Sequence, residues 1–404
     1  MYRVFASCAL AALLLAEVWA DPNHGSEQSH EGEIAWRVLS PHNAEFAIAL
    51  GHHLKSKAAG ENMFYSPLGI STALSMLSAG ARGDAHTQLF SSLGYSTLDQ
   101  MQVNEAYKYA LLMFNSQENV QLEVGNSVVV RTGFNPLPAF LNDIRRYFMG
   151  EVFNVDFKNP AEAKAQINQH IATKTHDKIK DLVKDLDPQM SMMLINWVYF
   201  RGQWLNPFNK NLTTKGDFYV DKNTKVEVDM MWATRRFDYY HDYDNHTTVL
   251  QLPYRGNTSM MIVLPDEGMI DIVESMINKD SIMEWQNSLF KRNINLSMPK
   301  FSISAEASLE GILKQMGITN AFEDTADFSG ISEEVKLKVS KVSHKAVLSV
   351  DETGTEAAAV TTLEIMPLSL PQTIKVNRPF FVFIMERSTK GILFMGRINN
   401  PTLR

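Results

Sequence analysis

The chain is 404 residues long, 45% hydrophobic, and carries a net charge of −7. That length accommodates two medium domains or one large one, and the acidic balance provides no surface for nucleic acid or for an anionic membrane. The one cysteine, Cys8, lies in the apolar N-terminal stretch, so the rest of the chain must be held by its core without disulfides.

Residues 1–20 combine Arg3, an apolar run from Ala9 to Ala16 and the small-residue ending Val18-Trp19-Ala20. This pattern predicts a secretory signal removed after Ala20. Its apolar run is too short to span a bilayer, and no other stretch is longer. A soluble, secreted, extracellular protein is expected, with no membrane partner. Residues 21–37 open with DPNHGSEQSHEGE and are expected to form a disordered tail. His24 and His30 in it are expected to be solvated.

Ser40-Pro41 is a cap followed by proline at the first helical position, and Phe46, Leu50 and Leu54 then line one face. Adjacent His52 and His53 cannot share a face, which argues against a metal site. Ser66-Pro67 repeats the opening, with Ile70, Leu74 and Leu77 on one side and Ala79, Gly80 and Ala81 suited to close packing. A further helix is expected over Leu98 to Asn115, where Lys108 is the only basic residue. Asn159-Pro160-Ala161-Glu162 begins another, with a cap and an acid in the first turn. His170 and His176 are spaced off any common helix face, so zinc is not expected.

LINWVYF, from Leu194 to Phe200, is apolar except for Asn196 and predicts a central strand buried on both sides. A buried amide there must find partners. Val249 to Tyr254 and Met260 to Leu264 form a hairpin pattern around the turn Arg255 to Ser259, and Met298-Pro299-Lys300-Phe301 is expected to start another strand. Asn211, Asn245, Asn257 and Asn295 head Asn-x-Ser/Thr sequons; Asn257 falls in the turn and Asn295 inside a strand-like run. The chain holds no G-x-S-x-G, no zincin helix and no phosphate loop, so no enzyme, cofactor or metal is expected.

The stretch from Val347 to Ser369 is VLSVDETGTEAAAVTTLEIMPLS. A strand ends at Val350. After Asp351 to Gly354 the chain alternates, with Thr355, Ala357, Ala359, Thr361, Leu363 and Ile365 on one side. Glu356, Ala358, Val360, Thr362 and Glu364 take the other. Pro367 and Pro371 then flank Leu368-Ser369. The pattern alone fits either an ordinary strand and turn, or strand chemistry placed in a loop. GTEAAA before a proline-flanked apolar-serine pair resembles the reactive-centre loop of the serpins. IKVNRPFFVFI (Ile374 to Ile384) and FMGRINNPT near the C-terminus resemble that family's closing signature.

The resemblance implies an α+β serpin fold: three β-sheets, about nine helices and an exposed loop over about 352–373, in one domain spanning 38–404. It implies an inhibitor of elastase-like or chymotrypsin-like serine proteases, monomeric, not an enzyme. Glu352, Gly354, Thr355, Glu356, Ala357, Ala358 and Ala359 correspond to the hinge, and Leu368-Ser369 to the scissile bond. Ser66, Asn196 and His344 correspond to the shutter beneath the main sheet, and Lys300 and Trp204 to the breach at its top, with Lys300 paired to Glu352. The family usually places a serine where this chain has Gly69. The lone Lys108 argues against heparin. Among the sequons, Asn257 matches a family glycosylation position, with Asn211 and Asn245 as further candidates. The alternative is a non-inhibitory serpin that carries a hormone.

Overall fold

The computed structural model describes residues 22–55, 61–116, 120–353 and 370–403. In chain order its helices are α1 (Pro22–Lys55), α2 (Pro67–Gly80), α3 (Gly83–Leu93), α4 (Gln100–Asn115), α5 (Pro138–Phe148), α6 (Pro160–Lys174), α7 (Ile270–Met276), α8 (Lys279–Ser288) and α9 (Glu310–Gln315). Its strands are β1 (Met63–Tyr65), β2 (Val120–Arg131), β3 (Glu151–Val155), β4 (Met192–Gly202), β5 (Thr214–Tyr219), β6 (Lys225–Asp242), β7 (Thr247–Pro253), β8 (Thr258–Pro265), β9 (Phe290–Pro299), β10 (Phe301–Ser308), β11 (Val339–Val350), β12 (Gln372–Lys375), β13 (Phe380–Glu386) and β14 (Ile392–Ile398). The nine helices among the described residues agree with the expected number, and the fold is α+β.

The strands form two hydrogen-bonded sets. Five lie in the order β10-β11-β4-β2-β3, and nine follow the path β1-β14-β13-β8-β7-β6-β9-β12 with β5 also on β6. The long β6 joins two parts of the larger set. Its Asp238 to Asp242 pair with β7, while Met230 to Tyr239 pair with β9. The expected three sheets are thus the five-stranded sheet and the two parts that share β6.

The five-stranded sheet follows directly from its sequence. Alternate residues of β4 point to opposite sides, and both sides are covered. Met193, Ile195, Trp197 and Tyr199 pack with Ala163, Ile167 and Ile171 of α6. Met192, Leu194, Val198 and Phe200 join the main core with α2. A strand buried on both faces needs an unbroken apolar run, which is why LINWVYF lacks alternation. The pair β11 and β4 is parallel, with His344 opposite Asn196, whereas β10–β11 and β4–β2 are antiparallel.

Five local expectations are corrected. The tail expected to be disordered is helical over its described residues: α1 starts at Pro22 and continues through Pro41, so Ser40 lies buried inside the helix rather than capping it. The reason is packing. Trp36 is buried edge-on against Tyr107 and Phe114 of α4, at 6.1 Å in each case. Once that turn is fixed, helix propagation carries the polar residues before it. Met298-Pro299 ends β9 rather than starting β10. The helix expected from Leu98 opens at Gln100, after Asp99 and Gln102 form a reciprocal capping box. Asn159 precedes α6 without a side-chain cap bond, and its Nδ2 donates to Asp156 Oδ2 at 2.8 Å.

Gly125 of β2 lies opposite Trp197 of β4, and a Cβ there would stand 2.0 Å from the indole Cε2. The glycine makes room for the ring under α6. Gly125→Ala is expected to destabilise the fold by about 1–3 kcal/mol through overpacking. A urea titration should show a lower midpoint at unchanged slope.

Candidate functional site

The parallel pair β11–β4 is held by a buried polar chain at its centre. Ser66 ends the extended segment before α2, and its Oγ accepts the Gly69 N–H at 3.1 Å as an N-cap. The same Oγ donates to the Leu393 carbonyl of β14 at 2.7 Å. The Ser66 N–H donates to His344 Nε2 at 3.0 Å. An accepting Nε2 puts the ring proton on Nδ1, which donates to Asn196 Oδ1 at 2.6 Å. Asn196 Nδ2 then donates to Asn126 Oδ1 of β2 at 2.8 Å and to the Gly125 carbonyl at 3.3 Å. All four side chains are buried. The structure therefore brings together Ser66, Asn196 and His344.

Asn126 was not anticipated. The signal for it was a polar residue within VGNSVVV, and only the ladder register places it opposite Asn196. Gly69 is explained by the same contact. A Cβ there would lie 2.5 Å from Val198 Cγ2 and 2.6 Å from Asn196 Oδ1.

The second cluster closes the end of β11. Trp204 stacks on Tyr254 at 4.3 Å, and its Nε1 donates to the Asp351 carbonyl at 2.8 Å. The Phe208 N–H donates to the Glu352 carbonyl at 2.7 Å. The Glu352 side chain is 5% exposed; its Oε2 meets Lys300 Nζ at 3.1 Å, while Lys300 itself is 44% exposed. Glu352 Oε1 accepts from Thr213 Oγ1 at 2.9 Å. This is not the exposed ion pair that two surface residues would form, because one partner is buried. Burial pushes the Glu352 carboxyl up, but hydrogen bonds from its own backbone, Thr213 and Lys300 outweigh that and hold it below the usual carboxylate range. Thr213 and Phe208 are further residues that motif reasoning did not single out.

The remaining hinge residues Gly354, Thr355, Glu356, Ala357, Ala358 and Ala359, and the bond Leu368-Ser369, lie outside the described residues, as does the signal segment 1–20. Of the sequons, Asn211 is exposed in the 3-10 turn Lys210–Leu212. Asn245 Nδ2 donates to Asp242 Oδ2 at 2.6 Å. Asn257 sits in the β7–β8 turn as expected, with Nδ2 donating to Glu386 and Ser388. In α4, Lys108 faces Glu105 at 3.6 Å. No group of three or more His, Cys, Asp or Glu suited to a metal is found among the described residues, and none of their helices is long and apolar enough to cross a membrane.

The two clusters, a polar lock under the parallel strand pair and a lysine–glutamate clamp at its end, contain the residues that the serpin resemblance assigns to the shutter and the breach. The chain belongs to that family: the family model described as Serpin (serine protease inhibitor) matches residues 41–401. The family is one of protease inhibitors, not of enzymes. Within it, the chain is similar to alpha-1-antitrypsin relatives. It is 55% identical over 327 residues to an alpha-1-antitrypsin homolog of Cyprinus carpio, covering 80% of this chain and 88% of that one. It is 39% identical to alpha-1-antiproteinase 2 of Equus caballus, covering 93% and 90%. Among solved structures it resembles human thyroxine-binding globulin complexed with thyroxine, at TM-score 0.86 and 37% identity over 91% of this chain and all (100%) of that one. Human glycosylated kallistatin aligns at TM-score 0.85 and 34% identity, covering 93% and 99%.

His344 makes the lock pH-sensitive. Burial lowers its pKa from 6.5 to about 3, so the native ring is neutral. Between those values the unfolded chain binds a proton that the native chain refuses. The stabilisation is fully present above about pH 6.5 and is lost as pH falls toward 3. At pH 5 the loss is about 2 kcal/mol. Glu352, held low, starts to lose its contribution only as pH falls through the ordinary carboxylate value of 4.5, below both pH values compared next. Urea midpoints at pH 7.5 and pH 5 should differ accordingly, and His344→Gln should flatten the difference. Identical pH dependence in both proteins would remove His344 as the cause.

Proposed function

We propose that the chain is a secreted, monomeric inhibitor that traps elastase-like or chymotrypsin-like serine proteases by inserting its own loop into the five-stranded sheet. The observation that carries this reading is the direction of β11 and β4. They are parallel neighbours hydrogen-bonded directly to each other, so a strand that parted them could run antiparallel to both. The segment after Glu352 leaves directly from the end of β11. Folded back between the two, it would run antiparallel to each and replace one parallel ladder by two antiparallel ones, which are slightly more stable per residue.

The chemistry is that of an interrupted acyl transfer. The protease serine oxygen attacks the Leu368 carbonyl, the Leu368–Ser369 peptide bond breaks, and Ser369 leaves as a new amino terminus. Leu368 stays joined to the protease as an ester. Thr355 to Leu368 then enters the sheet. At about 3.3 Å per residue its 14 positions span about 46 Å, enough to carry the tethered protease along the molecule and distort its triad. Once inserted, Thr355, Ala357, Ala359, Thr361, Leu363 and Ile365 pack inward and Glu356 and Glu364 stay in water. That division matches their alternation.

A second reading, a hormone carrier, is favoured by the likeness to thyroxine-binding globulin. Against it, GTEAAAV contains nothing that resists insertion. Incubation with a pancreatic elastase tests both. A protease complex that survives denaturing electrophoresis supports the inhibitor; cleavage without complex, together with saturable thyroxine binding, supports the carrier. The lone Lys108 of α4 supports a heparin-independent rate.

Ala357→Pro removes a backbone donor from what would become an interior strand, where proline is excluded. It is expected to turn the protein from inhibitor into substrate with native stability kept. Continued trapping at unit stoichiometry would discard strand insertion.

Specificity follows from Leu368. A leucine suits a hydrophobic primary pocket and leaves the buried aspartate of a trypsin-like pocket unpaired. Leu368→Arg should redirect trapping toward trypsin-like enzymes and weaken elastase inhibition by about two orders of magnitude or more. N-terminal sequencing of the released peptide should begin at Ser369. Another terminus would move the reactive bond.

A further inference from the structure

Three of the four sequons hold their asparagine within bonded structure. Asn245 Nδ2 donates to Asp242, and Asn257 Nδ2 donates to Glu386 and Ser388. Asn295 lies in β9 between Thr234 of β6 and Thr373 of β12. Asn211 differs. It is exposed, and among the described residues only its backbone is used, its N–H donating to Asn209 Oδ1 at 3.0 Å. Its carboxamide is free to carry a substituent.

The surroundings give that position a consequence. The third residue of the sequon is Thr213, whose hydroxyl donates to Glu352 Oε1 at 2.9 Å. One residue therefore completes both the acceptor motif and the clamp at the end of β11. The connection that carries it is vulnerable. Lys210, Asn211 and Leu212 are all exposed, and Lys210–Asn211 is a trypsin-type bond on an exposed turn. A cut there would sever the segment that positions Thr213.

We propose that Asn211 carries an N-linked glycan that shields the Lys210–Asn211 bond and so protects the Glu352 clamp from proteolysis. The proposal rests on the reading of the chain as secreted, where the transfer takes place. In that transfer Asn211 Nδ2 displaces the diphosphate of a lipid-linked oligosaccharide at its anomeric carbon and gives up one proton, keeping one N–H. Thr213 supplies the hydroxyl residue that the sequon requires.

Three variants separate the two uses of the segment. Asn211→Gln removes the sugar and keeps the Thr213–Glu352 bond, Thr213→Ser keeps both, and Thr213→Val removes both. The full chain is secreted from cultured eukaryotic cells, treated with an N-glycosidase in heavy-oxygen water, and mapped by peptide mass. Labelled aspartate is expected at position 211 in the wild type and in Thr213→Ser, and not in Thr213→Val. In a parallel digestion of untreated native protein, trypsin should cut after Lys210 at least about fivefold faster in Asn211→Gln than in the wild type. A bare Asn211 in secreted protein whose other sequons are occupied would overturn the proposal and leave the secreted reading standing. A chain absent from the medium would overturn both. An occupied Asn211 with equal cutting after Lys210 in the two proteins would overturn the shielding role.

Discussion

Everything in this molecule that bears on function depends on one strand pair that has no strand between its members. β11 and β4 run parallel and share a register from Val339 and Met192 to Leu348 and Phe200. Apolar contact alone would make such a pair permanent. Instead its centre is a row of hydrogen bonds, from Ser66 through His344 and Asn196 to Asn126. Each group in that row is satisfied, so burial carries no penalty for an unpaired polar atom. Parting the strands breaks the His344–Asn196 bond and exposes two groups that each cost about 1–3 kcal/mol if left unpaired. A polar lock of this kind is closed firmly and can be reopened, provided an incoming strand brings its own donors and acceptors.

On the proposed insertion, the second cluster stands where parting would begin. Four contacts fix the chain as it leaves β11: Trp204 to the Asp351 carbonyl, Phe208 to the Glu352 carbonyl, and Thr213 and Lys300 to the Glu352 carboxylate. Three of those four residues lie on the connection between β4 and β5. On that proposal, the strand that would move away and the segment that would move in are tied through the same stretch of chain. Lys300 reaches in from solvent, so its share of the clamp is screened by salt, while Thr213 is not charged and its share is not.

Legibility from sequence divided along a physical line. Residues whose role depends on local pattern were readable: the Ser66-Pro67 cap, the two-sided burial of LINWVYF, and the polar Asn196 within it. Lys300, Glu352 and His344 were readable because their neighbours carry family motifs. What was not readable needed distant partners. Asn126 acquires its role only from the ladder register across β2 and β4, and Thr213 only from the return of the chain past Glu352. The helical tail was missed because its polar composition says nothing of Trp36 docking on α4. Met298-Pro299 was assigned to the wrong strand because β9 and β10 are separated by Lys300 alone.

Gly69 shows how a departure from a family pattern can be complete in itself. A serine there would add a hydroxyl to the region beneath the strand pair, and losing it would seem to leave the network short of a donor. The geometry gives the opposite result. The Gly69 N–H is already used on Ser66 Oγ, and the space a side chain would need is occupied by Val198 and by the Asn196 amide. Without a Cβ, α2 comes close enough to β4 for Asn196 to lie against its backbone. The amide is then confined between the helix, His344 and Asn126, with its oxygen and nitrogen assigned by the partners on either side. The hydroxyl is replaced by proximity, and the lock is tightened by the smallest residue in it.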